Sequence, residues 1–241
     1  MKRLSAPLRL FWKDGAFSLL GGFLIAALVL FVFLKLASEV SEGDTQAFDV
    51  WLLQALRSPA DPSIPIGPEW FRIAMIDITA LGGTSVLTLL TVIAVGYLVA
   101  ARKPETAAFL GAAVIGGAIT GTVLKLLFAR ARPDIVPHLV FVDSASFPSG
   151  HALNSAVTYL TIGALLARAE SKRTVRVYLI AVAVALSLTI GFSRIYAGVH
   201  WPSDVVGGWC VGAAWAMIIS LIARALQRRR TIEPPPPPDP S

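Results

Sequence analysis

The sequence has few of the residues that hold small proteins together covalently or through metals. Its 241 residues include one cysteine, Cys210, so an intramolecular disulfide is impossible. Three histidines are present, and no cluster of cysteine or glutamate residues has the spacing of a zinc or magnesium site. The composition therefore excludes a disulfide-stapled fold, and we expect neither a metal nor another cofactor.

Charge is scarce within the long apolar runs. Hydrophobic residues make up 55% of the chain, more than the interior of a soluble domain absorbs. Roughly 20 apolar residues cross a hydrocarbon core about 30 Å thick. Four runs are nearly free of charge, and two more are bounded on one side by ionisable residues: 16–34, 78–101, 107–124 and 177–192, then 152–167 and 205–223. The pattern predicts an all-α, polytopic membrane bundle with about six transmembrane helices.

Acidic residues are outnumbered, with 15 Asp and Glu against 21 Lys and Arg. The basic residues lie at the N-terminus, at 102–103, at 168–176 and at 224–230, whereas the stretch 39–69 is mainly acidic. Cytoplasmic loops attract Lys and Arg, so both termini are predicted to be cytoplasmic. The basic residues follow no nucleic-acid-binding pattern, and no nucleic acid partner is expected. We predict a multi-pass protein of the cytoplasmic membrane.

The chain is predicted to form a single transmembrane domain over residues 1–227. A basic, proline-rich tail at 228–241 is expected to be disordered. Helical spacing of apolar residues at 45–58 predicts a short helix outside the spans, which is either an interfacial helix or a lid over a lipid site. Glycines four apart, at 117 and 121 and at 208 and 212, favour close helix packing.

Chemically functional residues gather at the ends of the predicted spans. With a cytoplasmic N-terminus, the ends concerned all emerge on the external or periplasmic face: Lys125, Arg132, His151, Arg194, His200 and Asp204. Three cations suit a phosphoryl group, whose transition state spreads negative charge over three oxygens. Ser149 and Gly150 directly precede a predicted helix, whose N-terminal N–H groups favour an anion. These residues predict a phosphate site.

Two histidines can divide the work of phosphate hydrolysis. His200 and Asp204 are four residues apart, so on a helix start the carboxylate can orient the imidazole and leave its other nitrogen free to attack. His151 comes from a different segment and can act as the general acid. The pattern predicts hydrolysis through a covalent phosphohistidine.

The same residues resemble the three-part signature of the type 2 phosphatidic acid phosphatase and vanadium haloperoxidase superfamily. Lys125 with Arg132 and Pro133 matches the first motif, Pro148–Ser149–Gly150–His151 the second, and Ser193–Arg194, His200 and Asp204 the third. The resemblance implies that His200 is the nucleophile, Asp204 its orienting partner and His151 the acid. It also implies the phosphate ligands, namely Lys125, Arg132, Ser149, Gly150 and Arg194, and metal-independent action on lipid phosphates.

The predicted function is hydrolysis of lipid phosphate monoesters or diphosphates such as undecaprenyl diphosphate, phosphatidate or phosphatidylglycerol phosphate. A phosphotransferase using the same intermediate is the first alternative. A transporter is a second, although no broken helix or midplane charge is evident in the sequence. A catalytically silent lipid-binding relative is a third. The sequence does not indicate which lipid is used or what the oligomeric state is.

Overall fold

A computed structural model describes the backbone of residues 16–228 and the side chains of residues 20–227, and every regular element in that range is an α-helix. The predicted tail therefore lies outside the described residues, except for the backbone of residue 228. The all-α class is confirmed. In chain order the helices are α1 (Ala16–Glu42), α2 (Gln46–Ala55), α3 (Glu69–Ala80), α4 (Thr84–Ala100), α5 (Pro104–Phe128), α6 (Gly150–Ala169), α7 (Arg173–Tyr196) and α8 (Pro202–Arg228).

Four helices of the described part of the chain are long and apolar enough to cross a membrane, namely α1, α5, α7 and α8. Helices α3 and α4 meet the same criterion together, as one bent pair. Helix α6 is long enough but more polar, because it carries His151, Asn154 and Arg168. It packs between α5, α7 and α8, where it needs less apolar surface of its own. The count of about six spans and the cytoplasmic termini stay predictions.

The apolar run at 78–101, predicted to form one span, is broken in the structure. Helix α3 ends at Ala80, α4 begins at Thr84, and the two axes differ by 52°. At the break, a Cβ added to Gly82 would lie 2.4 Å from Ile190 Cγ2 of α7, so only glycine fits. The apolar composition continues through the break, which explains why it was not predicted. The Gly82–Gly83 pair was the available signal.

Small residues bring α5 and α8 close to α6, as the glycine spacing predicted. A Cβ on Gly117 of α5 would meet Val157 of α6 at 2.7 Å, and one on Gly212 of α8 would meet Ala156 at 2.6 Å. Because α6 runs antiparallel to α5 and parallel to α8, its first turn lies beside the end of α5 and the start of α8. This packing brings the ends of four helices together at one end of the bundle.

The predicted helix at 45–58 is present as α2. Its large apolar side chains Phe48 and Trp51 are 53% and 61% exposed, whereas Asp49 and Leu53 are completely buried. The helix therefore turns its aromatic side chains outward and an acid inward. That orientation suits a helix lying against lipid, with one face fixed to the protein.

Candidate active site

A cavity of about 460 Å³ opens where α5 and α7 end and α6 and α8 begin. Six of the predicted site residues line it: Lys125, Arg132, Gly150, His151, Arg194 and His200. The two others, Ser149 and Asp204, lie directly behind its wall and are completely buried. Residues from three separate segments of sequence thus surround one space. The roles predicted for their side chains stay predictions.

Arg132 is fixed in the loop between α5 and α6. Its Nε donates a hydrogen bond to the carbonyl of Ser144 at 2.7 Å, and its Nη1 donates to the carbonyl of Val199 at 2.6 Å. Nη1 also lies 3.2 Å from Nε2 of His200. Burial lowers the pKa of Arg132, but the group keeps its charge across the accessible pH range. A fixed guanidinium therefore stands directly beside the imidazole.

Lys125 and Arg194 supply the other two cations. The ammonium of Lys125 donates to the carbonyl of Ala145, and Arg194 Nη1 donates to Thr79 Oγ1 at 2.9 Å. A side chain at Gly150 would meet Lys125 Cε at 3.4 Å, so the start of α6 lies against the lysine. These contacts hold both cations at the cavity.

Several polar atoms at this end of the bundle are buried without a hydrogen-bond partner among the described residues. They include Ser149 Oγ and Arg194 Nε, both of which can donate, and Asn154 Oδ1. A buried donor without a partner costs about 1–3 kcal/mol, and an anion bound nearby would relieve that cost. The orphaned donors therefore fit the predicted phosphate site.

His200 and Asp204 form a buried pair. Asp204 Oδ2 lies 3.4 Å from His200 Nδ1 and accepts a hydrogen bond from the backbone N–H of Trp201 at 2.9 Å. Ser146 Oγ donates to the same carboxylate oxygen and lies 3.3 Å from His200 Nδ1. The carboxylate thus favours the tautomer with the proton on Nδ1, which leaves a lone pair on Nε2.

Burial lowers the pKa of His200 to about 4, although Asp204 raises it and the nearby arginines lower it further. The side chain is only 2% exposed, so water cannot solvate an imidazolium there. His200 is consequently neutral at physiological pH. A neutral imidazole has the free lone pair that a nucleophile needs.

Arg130 is a site residue that sequence reasoning missed. Its Nη1 lies 2.7 Å from Asp204 Oδ1, and its Nη2 lies 2.9 Å from Asp49 Oδ2 on α2. Asp49 also accepts from the backbone N–H of Ser203 at 2.9 Å, and the guanidinium stacks 5.6 Å from the ring centre of Trp201. The sequence offered one signal, since Arg130 is a second arginine inside the first motif. No spacing rule, however, links Arg130 to Asp49, which lies 81 residues earlier.

The break between α3 and α4 was also missed as part of the site. Thr79, Ala80, Gly82 and Thr84 line the cavity, and a Cβ at Gly82 would lie 3.1 Å from His151 Cδ2. The bent pair therefore forms one wall of the cavity and limits where His151 can lie. The third histidine, His138, is not part of the cavity lining, and its Nε2 lies 2.7 Å from the carbonyl oxygen of Pro133.

Within the described residues, no group of three or more His, Cys, Asp or Glu side chains is arranged to hold a metal ion. The positive charge facing the cavity comes instead from the chain's own lysine and arginines. Such an arrangement binds an oxyanion bidentately and stabilises charge that develops on it.

Comparison with known proteins agrees with this geometry. The family model of the PAP2 superfamily matches residues 106–228. Phosphatidylglycerophosphatase B of Bacillus subtilis is 32% identical over 201 residues, which cover 82% of this chain and 94% of that protein. An undecaprenyl-diphosphatase of Sulfolobus acidocaldarius is 32% identical over 108 residues, 43% of this chain and 48% of the relative.

A solved structure extends the likeness to the whole bundle. The crystal structure of the transmembrane PAP2-type phosphatidylglycerolphosphate phosphatase from Bacillus subtilis matches with a TM-score of 0.75 at 27% identity. It covers 84% of this chain and 98% of that chain. The curated relatives are membrane lipid phosphatases, and the phosphohistidine mechanism is general to their family. The chain belongs to the PAP2 superfamily and is a multi-pass membrane lipid phosphatase.

Proposed function

We propose that His200 is the nucleophile of this phosphatase, with Asp204 holding its tautomer and His151 as the general acid. The observation that carries the proposal is the meeting of both imidazoles and three cations around one cavity, with a buried carboxylate behind His200. Lys125, Arg132 and Arg194 are the phosphate ligands, together with Ser149 and the backbone N–H of Gly150.

In the first step, Nε2 of His200 attacks phosphorus and the bond from phosphorus to the lipid oxygen breaks. His151 gives its proton to the departing oxygen, so the lipid leaves as a neutral alcohol, or as a monophosphate when the substrate is a diphosphate. In the second step a water molecule gives a proton to His151 and attacks phosphorus, which breaks the bond from phosphorus to nitrogen. The enzyme is restored and inorganic phosphate is released.

Arg132 has a specific role in the first step of this reaction. Its Nη1 lies 3.2 Å from Nε2 of His200, the attacking nitrogen. A phosphate oxygen is a stronger acceptor than a neutral imidazole, so substrate binding draws that N–H onto the phosphoryl group. The lone pair of Nε2 is then free, and the guanidinium stabilises the charge that develops in the transition state.

We further propose that the cavity opens to the external or periplasmic face and takes a phosphate monoester of a glycerolipid as its first substrate. The positive-inside distribution of Lys and Arg supports the orientation. The near full-length match to phosphatidylglycerophosphatase B supports phosphatidylglycerol phosphate as the lipid to test first.

The decisive experiment traps the intermediate. Purified enzyme is mixed in chelator with a radiolabelled lipid phosphate, quenched in base and examined for the acid-labile, base-stable label of a phosphohistidine. We expect label on the wild type, none on His200→Ala, and inhibition by vanadate, which adopts five coordination. Label on His200→Ala equal to that on the wild type would remove the nucleophile assignment.

The role of His151 is tested with an aryl phosphate as substrate. An aryl phosphate releases an aryl oxide, which departs without needing a proton. His151→Ala should therefore form the phosphoenzyme from an aryl phosphate at a nearly normal rate but hydrolyse the phosphoenzyme slowly. The labelled intermediate should therefore accumulate. Rapid hydrolysis in His151→Ala would contradict its role as the base for water. Comparing free phosphate with label passed to an added lipid acceptor separates hydrolase from transferase.

A further inference from the structure

A second cavity, of about 450 Å³, lies at the opposite end of the bundle. It is formed by the end of α6, the first turns of α7 and the end of α8. Helices α7 and α8 both pack closely on α6 but contact each other much less, which leaves the space between them. The 20 residues of α6 rise about 30 Å, so this cavity is separate from the active site.

Three arginines line this second cavity, one from each helix: Arg168 of α6, Arg176 of α7 and Arg224 of α8. Arg168 is half-buried, and its Nη2 donates both to the carbonyl and to the hydroxyl of Ser220 on α8. Its Nη1 is buried and has no hydrogen-bond partner within the described part of the chain. Helix α8 therefore fixes the guanidinium of Arg168, which keeps a buried N–H group without an acceptor among the described residues.

One acid, Glu170, also lines the cavity, but it does not neutralise the three arginines. Glu170 turns its carboxylate to the start of α7, where it accepts hydrogen bonds from the backbone N–H of Lys172 at 2.9 Å and from Ser171 Oγ at 3.3 Å. Arg176 and Arg224 line the cavity and are both exposed. The cavity thus has a surplus of positive charge and a guanidinium with an unsatisfied donor.

We propose that this second cavity binds the phosphodiester group of an anionic glycerophospholipid. Three guanidinium groups match the oxygens of one phosphate, and Arg168 supplies a buried donor for them. Apolar side chains, Ala164, Ala167 and Ile180, line the same cavity and can contact the acyl chains. Basic pockets between membrane helices at the cytoplasmic end suit such headgroups.

A lipid fits this place better than a free ion. The cavity lies at the end of helices long enough to span the hydrocarbon, at the level where phospholipid phosphates lie. A phosphodiester at this end cannot reach the reacting histidines about 30 Å away. The bound lipid is therefore a resident ligand that joins α6, α7 and α8, and its binding does not depend on the assignment of the catalytic residues.

The test counts the lipids that the protein retains. Full-length protein is purified in neutral detergent with equal amounts of phosphatidylglycerol and phosphatidylcholine, and bound lipid is measured by native mass spectrometry. We expect the wild type to retain phosphatidylglycerol in preference to phosphatidylcholine by about tenfold or more. Arg176→Gln/Arg224→Gln, which changes only exposed side chains, should bring that preference close to parity. Arg168→Gln should act in the same direction.

Two matched variants control the result. Arg102→Gln/Lys103→Gln removes two charges from the same end of the bundle but outside the cavity, and should keep the preference. Lys125→Gln/Arg132→Gln removes two cations from the active site and should also keep it. An unchanged preference in the cavity variants, or its loss in either control, would overturn the proposal. Displacement of the lipid by inorganic phosphate would assign the site to the free ion and overturn it equally.

Discussion

Replacing Arg130 by lysine keeps the charge but removes the planar fork that reaches two carboxylates. In the native protein one guanidinium lies 2.7 Å from Asp204 and 2.9 Å from Asp49, and both acids are completely buried. An ammonium is a compact charge that cannot hold both acids with this geometry. A hydrogen bond to a charged group contributes about 1.5–3 kcal/mol, so Arg130→Lys should cost about 2 kcal/mol of stability.

The same change should slow catalysis, because Asp204 is also the partner of His200. A carboxylate that turns toward the lysine shifts the imidazole, and a misplacement of about 1 Å can cost about 100-fold in rate. We expect kcat to fall roughly 10- to 100-fold. KM should change little, because Arg130 does not line the active-site cavity. Arg130→Gln should destabilise the protein more than Arg130→Lys, since removing one partner of a buried ion pair costs about 3–5 kcal/mol.

The assays are thermal unfolding in detergent and phosphate release at several pH values. Arg72→Lys is the control, because Arg72 pairs with Glu69 on the exposed surface of α3, where an ion pair contributes less than about 1 kcal/mol. The double variant Asp49→Asn/Arg130→Lys should lose less stability than the sum of the losses in the two single variants, because the two residues are partners. Additive losses, or an Arg130→Lys enzyme with normal kcat and stability, would refute the reasoning.

Three further predictions concern the histidines. Because burial lowers the pKa of His200 to about 4, kcat/KM should stay high down to that pH and should not fall near pH 6.5. A fall of kcat/KM near pH 6.5 that is caused by protonation of His200 would contradict this prediction. Between about pH 6.5 and 4, His200 binds a proton only in the unfolded state, so the free energy of unfolding should fall by about 3 kcal/mol as the pH drops through that window. His200→Gln should remove this pH dependence of stability, as measured by thermal unfolding. Gly82→Ala places a Cβ 2.4 Å from Ile190 Cγ2 and 3.1 Å from His151 Cδ2, so the break and the imidazole must both shift, and kcat should fall about tenfold or more. Gly96→Ala enters open space and should leave kcat unchanged; equal kcat values in the two variants would contradict a role for the break in positioning His151.

The order of the long helices and six of the residues that line the cavity could be predicted from the sequence, because both depend on short-range patterns. Long apolar runs predict helices in a membrane, where backbone groups must be paired within the segment. Charged residues at helix ends then have only two places to lie, one at each face of the bundle. That constraint is why Lys125, His151 and Arg194, distant in sequence, could be expected near one another.

The short-range patterns did not reveal contacts that depend on three-dimensional packing. Asp49 looked like one acid among several in an external stretch, yet α2 turns it inward onto Arg130. Gly82 lay within an apolar run that reads as continuous, and only its contact with Ile190 shows why the helix breaks there. Neither contact can be read from periodicity, although the Gly82–Gly83 pair marks a possible break.

The sequence by itself determined the chemistry and the class of fold, since residue types at fixed spacings decide which groups can bind phosphate and which segments enter lipid. Only the tertiary structure decided how those groups are held. The pairing of Arg130 with two buried acids, the wall formed by the bent α3–α4 pair, and the arginine cavity at the far end each join residues from separate helices. Such contacts arise from the packing of helices against one another, and packing is a property of the assembled bundle.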